Sequence, residues 1–121
     1  MMHRAMMVTA VALSCLGVVG PAAAGSAFVD GTKLDEACDG KTAFDAGLCY
    51  GYVFGVADLA ESTQFVKGQR MWCWPDKLLV DQAMDQSVKA VKLYLRDHPE
   101  NRHVTGDSLV AAALKEKFPC N

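Results

Sequence analysis

Residues 42–65 read TAFDAGLCYGYVFGVADLAESTQF, the longest apolar stretch beyond the first two dozen residues. Thr42 followed three residues later by Asp45 has the form of a reciprocal helix cap, with the acid standing where Glu is commoner. From there Phe44, Leu48, Tyr52 and Leu59 recur at helical spacing. The uncharged middle, residues 46–57, is 12 residues long between Asp45 and Asp58, which predicts a buried helix rather than a membrane span. Gly47, Gly51 and Gly55 fall at i, i+4 and i+8 along one face. Each costs a helix up to about 1 kcal/mol relative to Ala, so three in register predict the close approach of another helix. That helix can come from this subunit or a partner subunit, and packing inside the fold is the preferred reading. The flanking acids exclude a membrane dimer motif.

Upstream, Thr32-x-x-Asp35 repeats the capping pattern and opens a short helix through Cys38. Asp39-Gly40 closes it, with glycine suited to a left-handed C-cap. Downstream, residues 66–73 (VKGQRMWC) read as a loop, after which Trp74-Pro75 is expected to start a third helix, Pro being tolerated in a first turn. Val80, Met84, Val88, Val91 and Leu95 follow as one apolar stripe. His98-Pro99 ends it, because the residue before a proline disfavours helical backbone. Residues 105–108 (TGDS) offer N-caps for a last helix with Leu109, Val110, Ala113, Leu114 and Phe118 on its apolar face. No segment alternates as a strand does, and nothing repeats. The class is all-α, a small bundle of about four helices.

The start of the chain is of another kind. His3 and Arg4 precede an uncharged run over residues 8–19, then Gly20-Pro21 and the small residues Ala22, Ala23 and Ala24. This three-part pattern is a secretory signal, and its apolar run is too short to span a bilayer. Cleavage after Ala24 divides the chain into a signal, residues 1–24, and a mature domain, residues 25–121, of 97 residues. Cys15 makes a poor lipoprotein box, since Leu13 stands two residues before it rather than three and the apolar run continues beyond it. No stable membrane anchor is expected. The full chain carries 12 Lys+Arg against 14 Asp+Glu; losing Arg4 takes the net charge from −2 to −3. A slightly acidic chain is not built for a nucleic-acid backbone or an anionic membrane surface.

Four cysteines remain after cleavage, Cys38, Cys49, Cys73 and Cys120. An even number in a short exported chain reads as two disulfides and an oxidising compartment, in a bacterium the periplasm. Four cysteines allow three pairings. Antiparallel packing of the last two helices favours Cys73 with Cys120, which leaves Cys38 for Cys49. There is no C-x-x-C pair for zinc and no C-x-x-C-H for haem.

Little in the sequence points to catalytic chemistry. His98 and His103 are five residues apart across a proline, which is no helical ligand spacing, so no metal is expected. Disulfide-bonded cysteines leave no thiol nucleophile. Ser87 and Ser108 lie in no motif, Asp58 and Glu61 read as solvated helix acids, and no glycine loop can cradle phosphate. The chain is expected not to be an enzyme and to need no cofactor. Binding has more support, because residues 65–74 mix Phe, Arg, Met and two Trp, types enriched at interface hot spots. Arg70 and Trp72 are the expected exposed members. With His103 they make up the candidate partner-binding set, and the loops at residues 63–74 and 98–106 are the candidates for the binding edge.

Taken in order, Leu34-x3-Cys38, Cys49-Tyr50-Gly51-Tyr52-Val53-x-Gly55-Val56-x-Asp58, Cys73-x-Pro75, Val91-x2-Tyr94-Leu95-x2-His98-Pro99 and Phe118-Pro119-Cys120 resemble the Rap/Tai family over roughly residues 28–120. These are periplasmic immunity proteins against amidase toxins of type VI secretion. The resemblance implies an exported, disulfide-containing helical protein, often a homodimer, that binds a peptidoglycan amidase and plugs its active site. The shared residues are scaffold, so the toxin-binding surface does not carry over with them. An alternative of another class is a periplasmic stress or chaperone-like helical protein without a toxin partner.

Overall fold

The computed structural model describes residues 28–121. The signal-sequence reading of residues 1–24 falls outside them. Four helices follow one another: α1 Gly31–Asp39, α2 Ala43–Lys67, α3 Val80–Asp97 and α4 Gly106–Lys117, with a 3-10 turn, Pro99–Asn101, between the last two. Among the described residues there is no strand, only an isolated bridge between Asp30 and Thr105. The all-α expectation holds.

The cap of α1 lies two residues earlier than expected. Asp30, not Thr32, is the N-cap, and its Oδ1 accepts from the Lys33 amide at 2.9 Å. The loop before α4 settles this choice, since the Gly31 amide donates to the Val104 carbonyl at 2.9 Å and that of Thr32 to Arg102 at 3.1 Å. Those are first-turn donors that a helix cannot satisfy itself. A Cβ at Gly31 would come within 2.6 Å of Leu109 and 2.7 Å of the Arg102 Cα, so only glycine permits the contact.

Gly40 is also needed for room, not for a left-handed turn. Its φ of −60° is open to any residue, but a Cβ there would collide with the Asp45 side chain. That side chain folds back on Thr42 as the sequence predicts. Asp45 N–H donates to Thr42 Oγ1 at 3.1 Å and Thr42 N–H to Asp45 Oδ2 at 3.2 Å. At the far end Gly68, at φ 67°, closes α2 with its amide on the Gln64 carbonyl.

Helix α3 starts at Val80 rather than Trp74. Pro75 opens a turn instead, closed by the Leu78 amide on the Pro75 carbonyl at 3.3 Å, and Lys77 at φ 65° turns the chain out of the helical region. The tether just before this turn explains it. Cys73 is bonded to Cys120, and its amide donates to the Phe118 carbonyl at 2.8 Å, so residue 73 is held to the end of α4. At the other end, His98 stops α3 before Pro99, its amide on the Tyr94 carbonyl.

The core lies between α1, α3, α4 and one side of α2. Leu34, Cys49, Val53, Val91, Leu95, Leu109, Val110 and Leu114 fill it, and Trp72 is the largest side chain fully inside. All five residues expected on the α4 face are buried. Val88, Val91 and Leu95 hold the α3 stripe in the core, while Val80 at its start is 77% exposed. The disulfides join Cys38 to Cys49 and Cys73 to Cys120, tying α1 to α2 and the loop after α2 to the chain's end.

Helix α2 departs most from expectation. Phe44 (77% exposed), Leu48 and Leu59 (69% exposed) lie outside the core. The core instead takes Cys49 and Val53, flanked by partly buried Val56, Ala57 and Ala60. A Cβ on Gly47, Gly51 or Gly55 would meet nothing within 4 Å. The expected packing of this stripe inside the fold is therefore not found. With apolar residues all round, α2 buries one side in the bundle and leaves another without a neighbour.

Candidate functional site

The candidate partner-binding residues sit on two loops. Arg70 is exposed after the Gly68 turn, in a depression it shares with Glu61 and Gln64. Gln64 is buried, and its Oε1 accepts from the Met71 amide at 3.1 Å, which shapes the strand of loop that displays Arg70.

Trp72 was expected at the surface and is not there; it is 1% exposed. The physical cause is the neighbouring disulfide. Cys73 is pinned to Cys120, so residue 72 is carried under the loop and its indole fills the core rather than facing a partner. Trp74 is the more accessible of the two, tilted against Phe118 with ring centroids 4.8 Å apart, and its Nε1 donates to Glu61 Oε1 at 2.7 Å.

His103 is exposed, with Nδ1 2.9 Å from the Glu100 carbonyl. A carbonyl only accepts, so Nδ1 is the donor in this contact. His98 lies over Tyr94, ring centroids 4.3 Å apart, with its Nδ1 3.2 Å from Glu100 Oε1. Backbone hydrogen bonding first, and His98 second, hold the Glu100 carboxyl below its ordinary value. These contacts give the two histidines loop-ordering roles. Among the described residues no group of His, Cys, Asp and Glu is placed to hold a metal ion.

The two loops do not form one edge. Residue 73 is bonded to the C-terminal end of α4, whereas Gly31 and Asp30 pair with residues 104 and 105 at its N-terminal end. Helix α4 has 12 residues, so the loops stand about 18 Å apart along its axis. The separation follows from α3 and α4 running antiparallel, the same packing that the Cys73–Cys120 pairing reflects.

The Asp58 and Glu61 carboxyls lie one turn apart on α2, and Glu61 holds the Trp74 indole. On the opposite flank Tyr52 lies over Gly106, where a Cβ would come 2.8 Å from its hydroxyl. Burial first, and the charge of Asp107 second, raise the Tyr52 hydroxyl above its usual value. All four cysteines of the described residues are in disulfides, so none offers a thiol. No helix of the described residues is long and apolar enough to cross a membrane.

What this arrangement offers is a rigid, stapled bundle with exposed loops at both ends and an apolar outer row on α2. No curated protein and no solved structure matches the chain. A family model described as Rap1a immunity proteins matches residues 30–120, from the Asp30 cap to the second disulfide, and the chain belongs to that family.

Proposed function

We propose that residues 25–121, released by cleavage near Ala24, act in the periplasm as an immunity protein that binds a type VI-delivered peptidoglycan amidase and occludes its active site. The family match over residues 30–120 carries this reading, since membership implies a protein toxin as partner and an inhibitor rather than an enzyme. Two disulfides fit an exported protein. The mechanism is steric. A bundle stapled at two points has less conformational entropy to lose on binding, so less of the contact energy is spent on ordering. Exposed Arg70 and His103 remain the proposed contact residues on their respective loops.

The same proposal includes a homodimer. The outer row of α2, with Phe44, Leu48 and Leu59 beside three glycines that face open space, supports a helix-to-helix seat for a second copy. Mixing the oxidised mature chain with the amidases its own organism secretes tests the function. Stoichiometric loss of peptidoglycan cleavage supports it, and undiminished cleavage at micromolar excess overturns it.

The same α2 row also favours a second reading, a chaperone-like protein that offers this apolar surface to unfolding clients. Such a protein would expose more apolar surface in acid. Dye binding and oligomeric state that do not change between neutral and acidic pH would remove it.

A further inference from the structure

Because residues 74–79 stay out of α3, a groove of about 420 Å³ opens between α2 and the first turns of α3. Phe54 and Ala57 form one wall, Trp74 and Leu78 the rim, and Val80 and Met84 the other wall. Ser87 on the floor turns its hydroxyl back to the Ala83 carbonyl at 2.6 Å, so the floor offers a ligand little polarity. The polar groups that face the groove from α2 are two acids, Asp58 and Glu61, and no Lys or Arg lines it. Glu61 fixes the Trp74 ring at the rim through its 2.7 Å hydrogen bond. Asp58 pairs with no cation among the described residues.

The larger cleft between α1 and α3 differs in kind. It carries charge of both signs, Asp35 and Asp39 beside Lys89, Lys92, Arg96 and Arg102, with Arg102 paired to Asp35 at 3.0 Å and Lys89 to Asp85 at 2.6 Å. The groove beside Trp74 instead combines an apolar interior with acids and no lining cation. A complementary ligand has an apolar body and a positive head.

We infer that this groove is the docking site for a segment of the toxin that sets a large apolar side chain next to a Lys or Arg. The apolar side chain lies between Trp74 and Met84, and the cation reaches Asp58. Aromatic and methionine walls around one anchor are what interface hot spots are made of, and a charge pair at the mouth selects which anchor enters. This inference rests on the toxin-binding reading above and names the surface it uses.

The test has two arms so that the two can fail separately. In the first, the mature chain alone is titrated by amide NMR with phenethylammonium and with phenylacetate, which share an apolar ring and differ in charge. The ammonium should shift the Trp74 indole signal and the amides of Asp58 and Ala83, and the carboxylate should not. Equal responses, or none to either, overturn the charge-selective groove. In the second, Ala83→Trp fills the groove and Asp58→Lys reverses its charge, with Lys115→Glu on α4 as a control and circular dichroism as the check on folding. Affinity for the inhibited amidase should fall at least about 100-fold for Ala83→Trp. For Asp58→Lys, a surface change that does not threaten the fold, the fall should be about tenfold. Binding by both variants within about twofold of the unaltered chain, which is within the scatter of a surface change, overturns the inference while leaving the immunity reading intact. Failure of the unaltered chain to bind any amidase overturns the immunity reading instead, and the first arm still decides the chemistry of the groove.

Discussion

Trp72 and Trp74 meet edge to face with ring centroids 6.1 Å apart, yet one is sealed in the core and the other forms the rim of a surface groove. Cys73 between them is bonded to Cys120, which fixes the chain where the buried indole gives way to the one at the rim. Trp72→Ala should therefore destabilise the fold by about 3–5 kcal/mol, as large core truncations do. Arg70→Ala, at an exposed position, should change stability by less than about 0.5 kcal/mol. Urea denaturation of the oxidised mature chain measures both. Equal, small effects would mean that Trp72 is not a core residue.

The glycines separate into two kinds. Gly31→Ala pushes a Cβ into Leu109 and the Arg102 backbone and should destabilise by about 1–3 kcal/mol. Gly51→Ala meets nothing and should stabilise the monomer by about 0.5–1 kcal/mol through helix propensity alone. Thermal melts of the two variants should move in opposite directions.

Gly51→Arg carries the same reasoning to the proposed dimer. The monomer has room for the side chain, so helicity should be retained while the α2 row can no longer seat a second copy. Light scattering should give a dimer for the unaltered chain and a monomer for the variant. An unaltered chain that is already monomeric at high concentration removes the dimer proposal.

The two disulfides close loops of different length, with sequence separations of 11 and 47. Chain entropy assigns about 3 kcal/mol to the shorter and about 4 kcal/mol to the longer. Replacing Cys73 and Cys120 by Ala should thus cost more than replacing Cys38 and Cys49, and it should also free the loop that buries Trp72. Denaturant midpoints of the two double variants, with Trp fluorescence as the signal, check the order.

The Thr42–Asp45 cap gives stability a dependence on pH. Hydrogen bonds from the Thr42 side chain and then its backbone lower the Asp45 carboxyl below its ordinary value of 3.8. The folded value lies below the unfolded one. Its contribution is therefore complete above the unfolded value and is lost as pH falls through the folded one. Asp45→Asn should be less stable than the unaltered chain at pH 7, with the gap closing in strong acid. A gap that stays constant across this range would contradict the cap's electrostatic part.

Much of this fold can be read from local chemistry. The Thr42 cap, the His98-Pro99 stop and the α4 face depend on neighbours in sequence, and each stands where the pattern puts it. The discrepancies have a common origin in contacts between distant segments. Asp30 takes over the α1 cap because the Arg102 and Val104 carbonyls accept the Thr32 and Gly31 amides there. Trp74-Pro75 satisfies the local rules for a helix start, but the tether of Cys73 to Cys120 and the Lys77 turn delay α3 to Val80. Apolar residues all round α2 leave periodicity no means of choosing which side meets the core. Of the candidate site, Arg70 and His103 are accessible as a polar loop residue usually is. Trp72 is not, and the groove beside Trp74 exists only because a helix begins six residues late.

The most direct test of the central claim is inhibition. Purified type VI amidases of the same organism would be assayed on peptidoglycan with rising amounts of the oxidised chain over residues 25–121. One amidase should be silenced at a one-to-one ratio of binding sites, with a nanomolar dissociation constant, about −12 kcal/mol. Amidases that keep full activity at micromolar excess of the chain would contradict it.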